Sequence, residues 1–357
     1  MGAHASHVNV PTSPARLGVV LMNMGGPDDR ASVRPFLRNL FSDPDIIRLP
    51  LSRLLQPALA RWIVWRRGAL AEAAYARMGG GSPQLPLTRL QAEALQQALA
   101  ASGLDARVYV AMRYWRPFSE EVVRLMAQDG VTHLAALSLY PHFSYTTTGS
   151  SVKALRAALA QSPLAQTPLS IIAGYCRRPA YLAALAARIQ EGLQAYDWTC
   201  PAEAVTILFS AHSLPVSHVR RTRDPYATHL DRCAHRVMRD YFPRNPWTMA
   251  YQSKVGRMPW LAPSTLETLS QAAARGADNI LTVPISFVSD HIETLVELDE
   301  EALPMARRLG VSRCARAPVM NAHADFIELL AALTRERVMN RWRDAFSMPV
   351  VSTQGQS

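Results

Sequence analysis

Cysteine is scarce: there are four in 357 residues (Cys176, Cys200, Cys233 and Cys314), far apart and with no CxxC pair. That excludes a disulfide framework and a cysteine-built structural zinc site, and it suits a reducing cytoplasm. Long apolar runs are missing too. No stretch of about 18 apolar residues occurs, so no membrane-spanning helix is expected. The opening MGAHASHVNVPTSPAR lacks the apolar centre of a secretory signal. Its M-G-x-x-x-S start fits an acylation pattern only formally, and residues 1–15 and 347–357 read as disordered tails. Acidic residues (28) are outnumbered by basic ones (38), for a net charge of +10. There is nevertheless no Lys/Arg block and no nucleic-acid motif, so the charge points instead to anionic lipid or a carboxylated ligand. The G-x-G-x-x-G fingerprint is also absent, and no dinucleotide is inferred.

What is present is a repeated alternation of strands and helices. Buried-strand patterns are expected at 17–22, 107–114, 133–140 and 169–175, then again at 205–210, 248–253 and 279–286. Helices are expected between them at 36–76, 88–101, 119–130, 151–161, 180–196, 225–242, 264–275 and 291–309, with a last one at 323–343. Two such runs imply an α/β protein of two doubly wound lobes with parallel sheets and a cleft between them. The first lobe is assigned 16–173 plus 322–346, and the second 174–321.

One stretch within the first lobe departs from this pattern. Residues 46–83 form a greasy segment with Trp62, Trp65, Arg61, Arg66 and Arg67, expected to be broken by Pro50 and Pro57 and closed by a hinge-like GGGSP loop. It reads either as a helix pair packed on the core or as an apolar lip with an arginine rim.

Polar residues collect just after the strands: Met24, Arg113, Tyr114, His142, His212, Lys254 and His291. In open α/β sheets that edge is where ligands sit. The segment FVSDHIETLVELDEE is the most telling, because Glu293, Glu297 and Glu301 stand at i, i+4 and i+8 and put a column of carboxylates on one helical face. Hard oxygen ligands in a row suit delivery of a hydrated divalent cation. His212 and Glu293, each beside a second-lobe strand end, could face each other across a pocket and serve a borderline metal, a proton abstraction, or both.

These residues resemble the ferrochelatase family. The likeness runs from about Leu17 to about Arg343 and rests on LMNMGGP at 21–27, GGGSP at 79–83, YPHFSYTTTGS at 140–150, FSAHSLP at 209–215, YQSKVGRMPWLAP at 251–263 and FVSDHIETLVELDEE at 287–301. The resemblance implies two Rossmann-like lobes of chelatase type and the insertion of ferrous iron into protoporphyrin IX, the terminal step of haem synthesis. It implies that His212 and Glu293 are the opposed metal and proton-handling pair, with His291 in support, and that Glu297 and Glu301 continue the metal path on a locally widened helix. Met24, Arg67, Tyr75, Ser82, Arg113, Tyr114 and Trp260 match porphyrin-binding positions.

Iron is then a substrate, no permanent cofactor is expected, and the location is cytoplasmic with peripheral membrane contact. The likeness is not complete. Tyr251 and Arg257 replace the family's frequent tryptophan and proline, a change expected to tune the pocket rim. Tyr145 stands where some relatives have a cluster cysteine, so no [2Fe-2S] cluster is expected. Methionine at 24 resembles the protoporphyrin-using branch rather than the coproporphyrin-using one. Rival readings are a chelatase for another metal such as cobalt, a porphyrin carrier without turnover, and, more remotely, a nucleic-acid binder.

Overall fold

The computed structural model describes residues 15–46, 52–254, 256 and 258–346. The first sheet holds β1 (Leu17–Asn23), β2 (Ala106–Met112), β3 (His133–Ser138) and β4 (Leu169–Ile172). Its helices are α1 (Arg30–Ser42), α2 (Ser52–Arg77), α3 (Gln84–Ala101), α4 (Ser119–Gln128) and α5 (Ser150–Ala160). After α6 (Pro179–Ala195) the second sheet is built from β5 (Thr206–His212), β6 (Trp247–Gln252), β7 (Asn279–Pro284) and β8 (Arg313–Arg316). Around it lie α7 (Val216–Thr222), α8 (Tyr226–Tyr241), α9 (Thr265–Ala274) and α10 (Leu303–Arg308), and α11 (Ala324–Trp342) follows.

Both sheets are parallel and share one order, β2-β1-β3-β4 and β6-β5-β7-β8. In each, the chain reverses direction across the sheet at the strand pair that starts it, β1/β3 or β5/β7. Those are the switch points where an open α/β sheet leaves a crevice at its carboxyl edge. The period-2 alternation of strands sets the layers. Val19 and Leu21 face one core and Val20 and Met22 another, while Ile207 and Phe209 oppose Leu208 in the same way. The inner core is continuous across both lobes, joining β1 and β5 through α6, α8 and α11 with Tyr181, Leu230 and Phe326. Each such side chain contributes about 1.5–3 kcal/mol by leaving water. α11 packs on α3, α6, β3 and β4, so the chain's last helix returns to the first sheet.

Several expected boundaries move. Pro57 lies inside a continuous α2, because a proline in the second helical turn removes only one early hydrogen bond; Pro50 lies outside the described residues. α4 starts at Ser119 as expected, where Glu121 accepts the Phe118 backbone N–H (2.8 Å), but ends two residues early at Gln128. The helix expected from 291 is a π-helix over Glu293–Ala302 that passes into α10, with Pro304 at the start of α10 rather than at a break. The GGGSP loop is no free hinge. Gly79 and Gly80 take left-handed φ values of +89° and +101°, and a Cβ on Gly81 would sit 2.2 Å from the Asp28 carbonyl oxygen. The Ser82 N–H donates to the Pro27 carbonyl (2.7 Å), locking this loop onto the GGP turn after β1. The tail expectations fall almost wholly on residues outside those described.

Candidate functional site

Both switch points open into one cleft of about 460 Å3. Met24 enters it from the end of β1, Arg67 and Tyr75 from α2, Ser82 from the glycine loop, and Trp260 from the segment after β6. His212, His291, Glu293, Glu297 and Glu301 line it from the second lobe. A smaller inner chamber of about 130 Å3 shares His212, Met24 and Trp260 and runs inward past Tyr114 and His142. Of the porphyrin positions named from sequence, Arg113 is not among the lining residues. Its guanidinium turns to Asp43 (2.8 Å) and Ser150 (2.7 Å), and the Tyr114 hydroxyl donates to the same Asp43 oxygen (2.8 Å). A carboxylate as buried as Asp43 needs such partners. They outweigh its burial and hold its pKa below the ordinary value. Arg113 and Tyr114 therefore brace the cleft wall through α1. Tyr251 also sits away from the rim, half-buried in β6 near Asp231 of α8, and Arg257 lies outside the described residues.

His212 and Glu293 do not stand on opposite walls. β5 ends at His212 and the π-helix begins at Glu293, so the two meet directly, Nδ1 to Oε2 at 2.8 Å. An ionised carboxylate only accepts, so Nδ1 donates and Nε2 keeps the basic lone pair. Ser253, in a left-handed conformation (φ 66°) just past β6, shares its one hydroxyl proton between Glu293 (2.9 Å) and Glu297 (2.6 Å). Gln252 donates to the Glu293 carbonyl (2.8 Å) and takes a hydrogen bond from Ser210 (2.6 Å). Tyr226 donates to the His212 carbonyl (3.0 Å). His291 donates Nδ1–H to the Ser289 carbonyl (3.0 Å), leaving Nε2 3.9 Å from Glu293.

The charges follow from this packing. Burial works against a charged His212, but the Glu293 carboxylate and its hydrogen bond, with Glu297 beyond, win and raise its pKa. Burial likewise opposes ionised Glu293, yet His212 outweighs it and the carboxyl is held well below its usual range. At Glu297 the pull of His212 is outweighed. Burial and the Glu293 charge push it up to about 7. Burial, the largest influence on His291, keeps that ring neutral by lowering its pKa. Glu301, at the outer end of the column, is paired with Arg77 of α2 (2.6 Å), which also reaches Glu300 (3.3 Å). Among the described residues no three His, Cys, Asp or Glu side chains are grouped as a closed metal site. The dyad's facing atoms are spent on each other. Sequence reasoning missed Gln252, Ser253, Tyr226 and Asp43; the first two could have been sought from the polar pair that ends β6.

A profile of the ferrochelatase family matches residues 16–338. The ferrochelatase of Synechocystis sp. is 44% identical over 322 residues, spanning 90% of this chain and 82% of that protein. Ferrochelatase-2, chloroplastic, of Cucumis sativus is 43% identical over 321 residues, spanning 88% of this chain and 62% of that protein. Among solved structures, SirB from Bacillus subtilis with Fe3+ superposes with a TM-score of 0.53, covering 94% of this chain and all of its own at 11% identity, a likeness of fold.

Proposed function

This chain belongs to the ferrochelatase family, and we propose that the His212–Glu293 dyad is the proton-handling centre of its reaction. As a member it is a lyase-class chelatase that inserts ferrous iron into a porphyrin in haem biosynthesis. Two pyrrole N–H protons must leave and an aquated cation must lose its water. Neutral His212, oriented through Nδ1 by Glu293, takes a pyrrole proton at Nε2, and the carboxylate stabilises the imidazolium that results. The observation that carries this reading is the 2.8 Å contact between the two side chains at the floor of the cleft. His291 stands beside the dyad in support, its Nε2 3.9 Å from Glu293, and Glu297 and Glu301 lead the iron inward along the π-helix.

The substrate is protoporphyrin IX, held between Met24 and Trp260, with Tyr75 on the lip side and Arg67 and Ser82 toward its carboxylates. Flat aromatic and thioether walls that hold the ring puckered would bring its nitrogen lone pairs out of plane, part-way to the transition state. The enzyme works without a resident cofactor, so the purified protein is expected to lack the visible absorbance of an iron–sulfur cluster. It sits at the cytoplasmic face of a membrane, contacting lipid through α2; no helix among the described residues is long and apolar enough to cross one.

The test is anaerobic incubation with protoporphyrin IX and ferrous iron, following the porphyrin absorbance bands. Wild-type protein is expected to turn over many times. His212→Ala is expected to lose insertion by about two to four orders of magnitude while still binding porphyrin. Normal turnover by that variant would remove His212 from the role, and binding without turnover in the wild type would make the protein a carrier.

A further inference from the structure

His142 follows β3 at the first lobe's switch point and is 2% exposed. It meets the rings of Tyr181 and Tyr226 edge-on, with centroids 6.1 and 6.5 Å away. Neither of its ring nitrogens has a hydrogen-bond partner among the described residues. A neutral imidazole carries one donor and one acceptor, and leaving both unpaired in a core costs roughly 1–3 kcal/mol each. A leucine would fill the same space without that cost. The ring borders the inner chamber, whose wall also carries Thr146, Thr147, Tyr140, Ser286 and His212. Its volume of about 130 Å3 has room for about four waters at about 30 Å3 each.

Tyr226 and His229 give this chamber a direction. Toward the cleft, Tyr226 flanks His142 with its ring and donates to the His212 carbonyl with its hydroxyl. Away from it, His229 on α8 is near enough for its charge to depress His142, and its own buried Nδ1 also lacks a partner. His229 is half-buried and is itself influenced by Arg177 and Arg232, so it stands between chamber and surface.

We propose that, given the iron-insertion reading above, this chamber is the route by which the pyrrole protons leave, with water and His142 carrying them from His212 to His229. In each pass one ring nitrogen of His142 accepts a proton from chamber water while the other gives its own to the next carrier. The ring stays neutral, and exchange of its tautomer through the same water resets it. Two passes accompany each porphyrin metallated, and no electrons move. Burial holds the His142 pKa to about 3, with His229 adding to the effect, so the ring relays protons without storing them. The division of labour has an electrostatic reason. Protons leaving through the Glu293–Glu297–Glu301 column would compete with the incoming cation for the same oxygens, whereas the inner chamber shares Glu293 with that column but not Glu297 or Glu301.

The test is single-turnover iron insertion with enzyme in excess, in H2O and D2O, beside porphyrin affinity by fluorescence quenching and thermal melting. His142→Leu is expected to slow insertion about tenfold or more and to enlarge the solvent isotope effect, with porphyrin affinity unchanged and melting no lower than in wild type. His142→Gln, which keeps a donor and an acceptor but cannot hand a proton on, is expected to bind porphyrin and melt normally while insertion stays about as slow as in His142→Leu. His229→Leu is expected to slow insertion by a smaller factor. Wild-type rate and isotope effect in His142→Leu would overturn the proposal. So would a full rescue by Gln, or a loss that follows porphyrin affinity, since either marks a structural role. Should the leucine variant not fold, a proton inventory on wild-type protein decides: curvature from several protons in flight supports the relay, and a one-proton straight line overturns it. Wild-type protein that inserts no iron would instead defeat the functional reading beneath it.

Discussion

In the proposed mechanism His212 is a base only while it is neutral, so its environment sets the acidic edge of the reaction. Glu293 and Glu297 together raise its pKa against the opposing effect of burial. The insertion rate should therefore fall as pH drops through this raised value. Glu297→Gln removes one of the two negative charges, lowers the His212 pKa, and is expected to move that edge to lower pH. A pH–rate profile of single-turnover insertion checks it, and an edge that stays in place or moves up contradicts it. The same linkage gives stability a sign. The protonated dyad stabilises the fold below the unfolded imidazole pKa, and that contribution is lost as pH rises through the raised folded one.

At this scale the sequence was readable where chemistry and position coincide, as for His212 at a strand end and Glu293 heading an acidic column. It misled where a nearby unlike charge decides. Arg113 also follows a strand, but the buried carboxylate of Asp43 draws it out of the cleft. Nothing in the local sequence announces that Ser253 takes a left-handed φ and clamps two glutamates.

The element proposed to carry the metal path is the π-helix Glu293–Ala302, and it is held from behind. Arg316 of β8, 12% exposed at the side chain, binds Asp299 with two nitrogens (2.8 and 2.9 Å) and Asp290 at 3.2 Å. Arg316→Met leaves two partly buried carboxylates facing each other. It is expected to cost about 2 kcal/mol of stability and to raise the KM for ferrous iron more than that for porphyrin. Thermal melting and steady-state kinetics check both. Unchanged melting, or equal effects on the two substrates, would mean that Arg316 does not position this helix.

Spacing alone showed that the glutamates share a face but could not show the widened turn, because helical periods of 3.6 and about 4.4 place i and i+4 side by side almost equally well. β8 escaped notice for a different reason: RCAR is four residues long, charged at both ends, and lies at a sheet edge. α2 was read as fragments from its prolines, yet its burial of Val64 and Tyr75 against α1 carries the helix through Pro57.

At the level of the whole molecule, the repeated alternation of strands and helices was legible because buried parallel strands announce themselves as apolar runs, and their C-terminal ends converge on one cleft. The interior shared by the two lobes was not legible, since no composition break or linker separates them. The outer surface makes its own statement on α2, where Leu55, Trp62, Trp65 and Leu70 are exposed at 49, 57, 71 and 71% beside Arg61, Arg66 and Arg67. Rings and arginines in that mixture suit an anionic lipid surface. Replacing Trp62 and Trp65 together by serine is expected to reduce co-flotation with vesicles containing phosphatidylglycerol at least severalfold and to leave melting unchanged. Equal flotation of variant and wild type would separate this face from lipid.

The account rests most heavily on the dyad, and the direct measurement is single-turnover ferrous iron insertion by Glu293→Gln, with protoporphyrin affinity measured on the same samples. The amide keeps the size of the side chain but cannot stabilise an imidazolium as a carboxylate does. Insertion should fall by about two orders of magnitude or more while porphyrin affinity stays within about twofold. Insertion at the wild-type rate with intact binding would contradict the account.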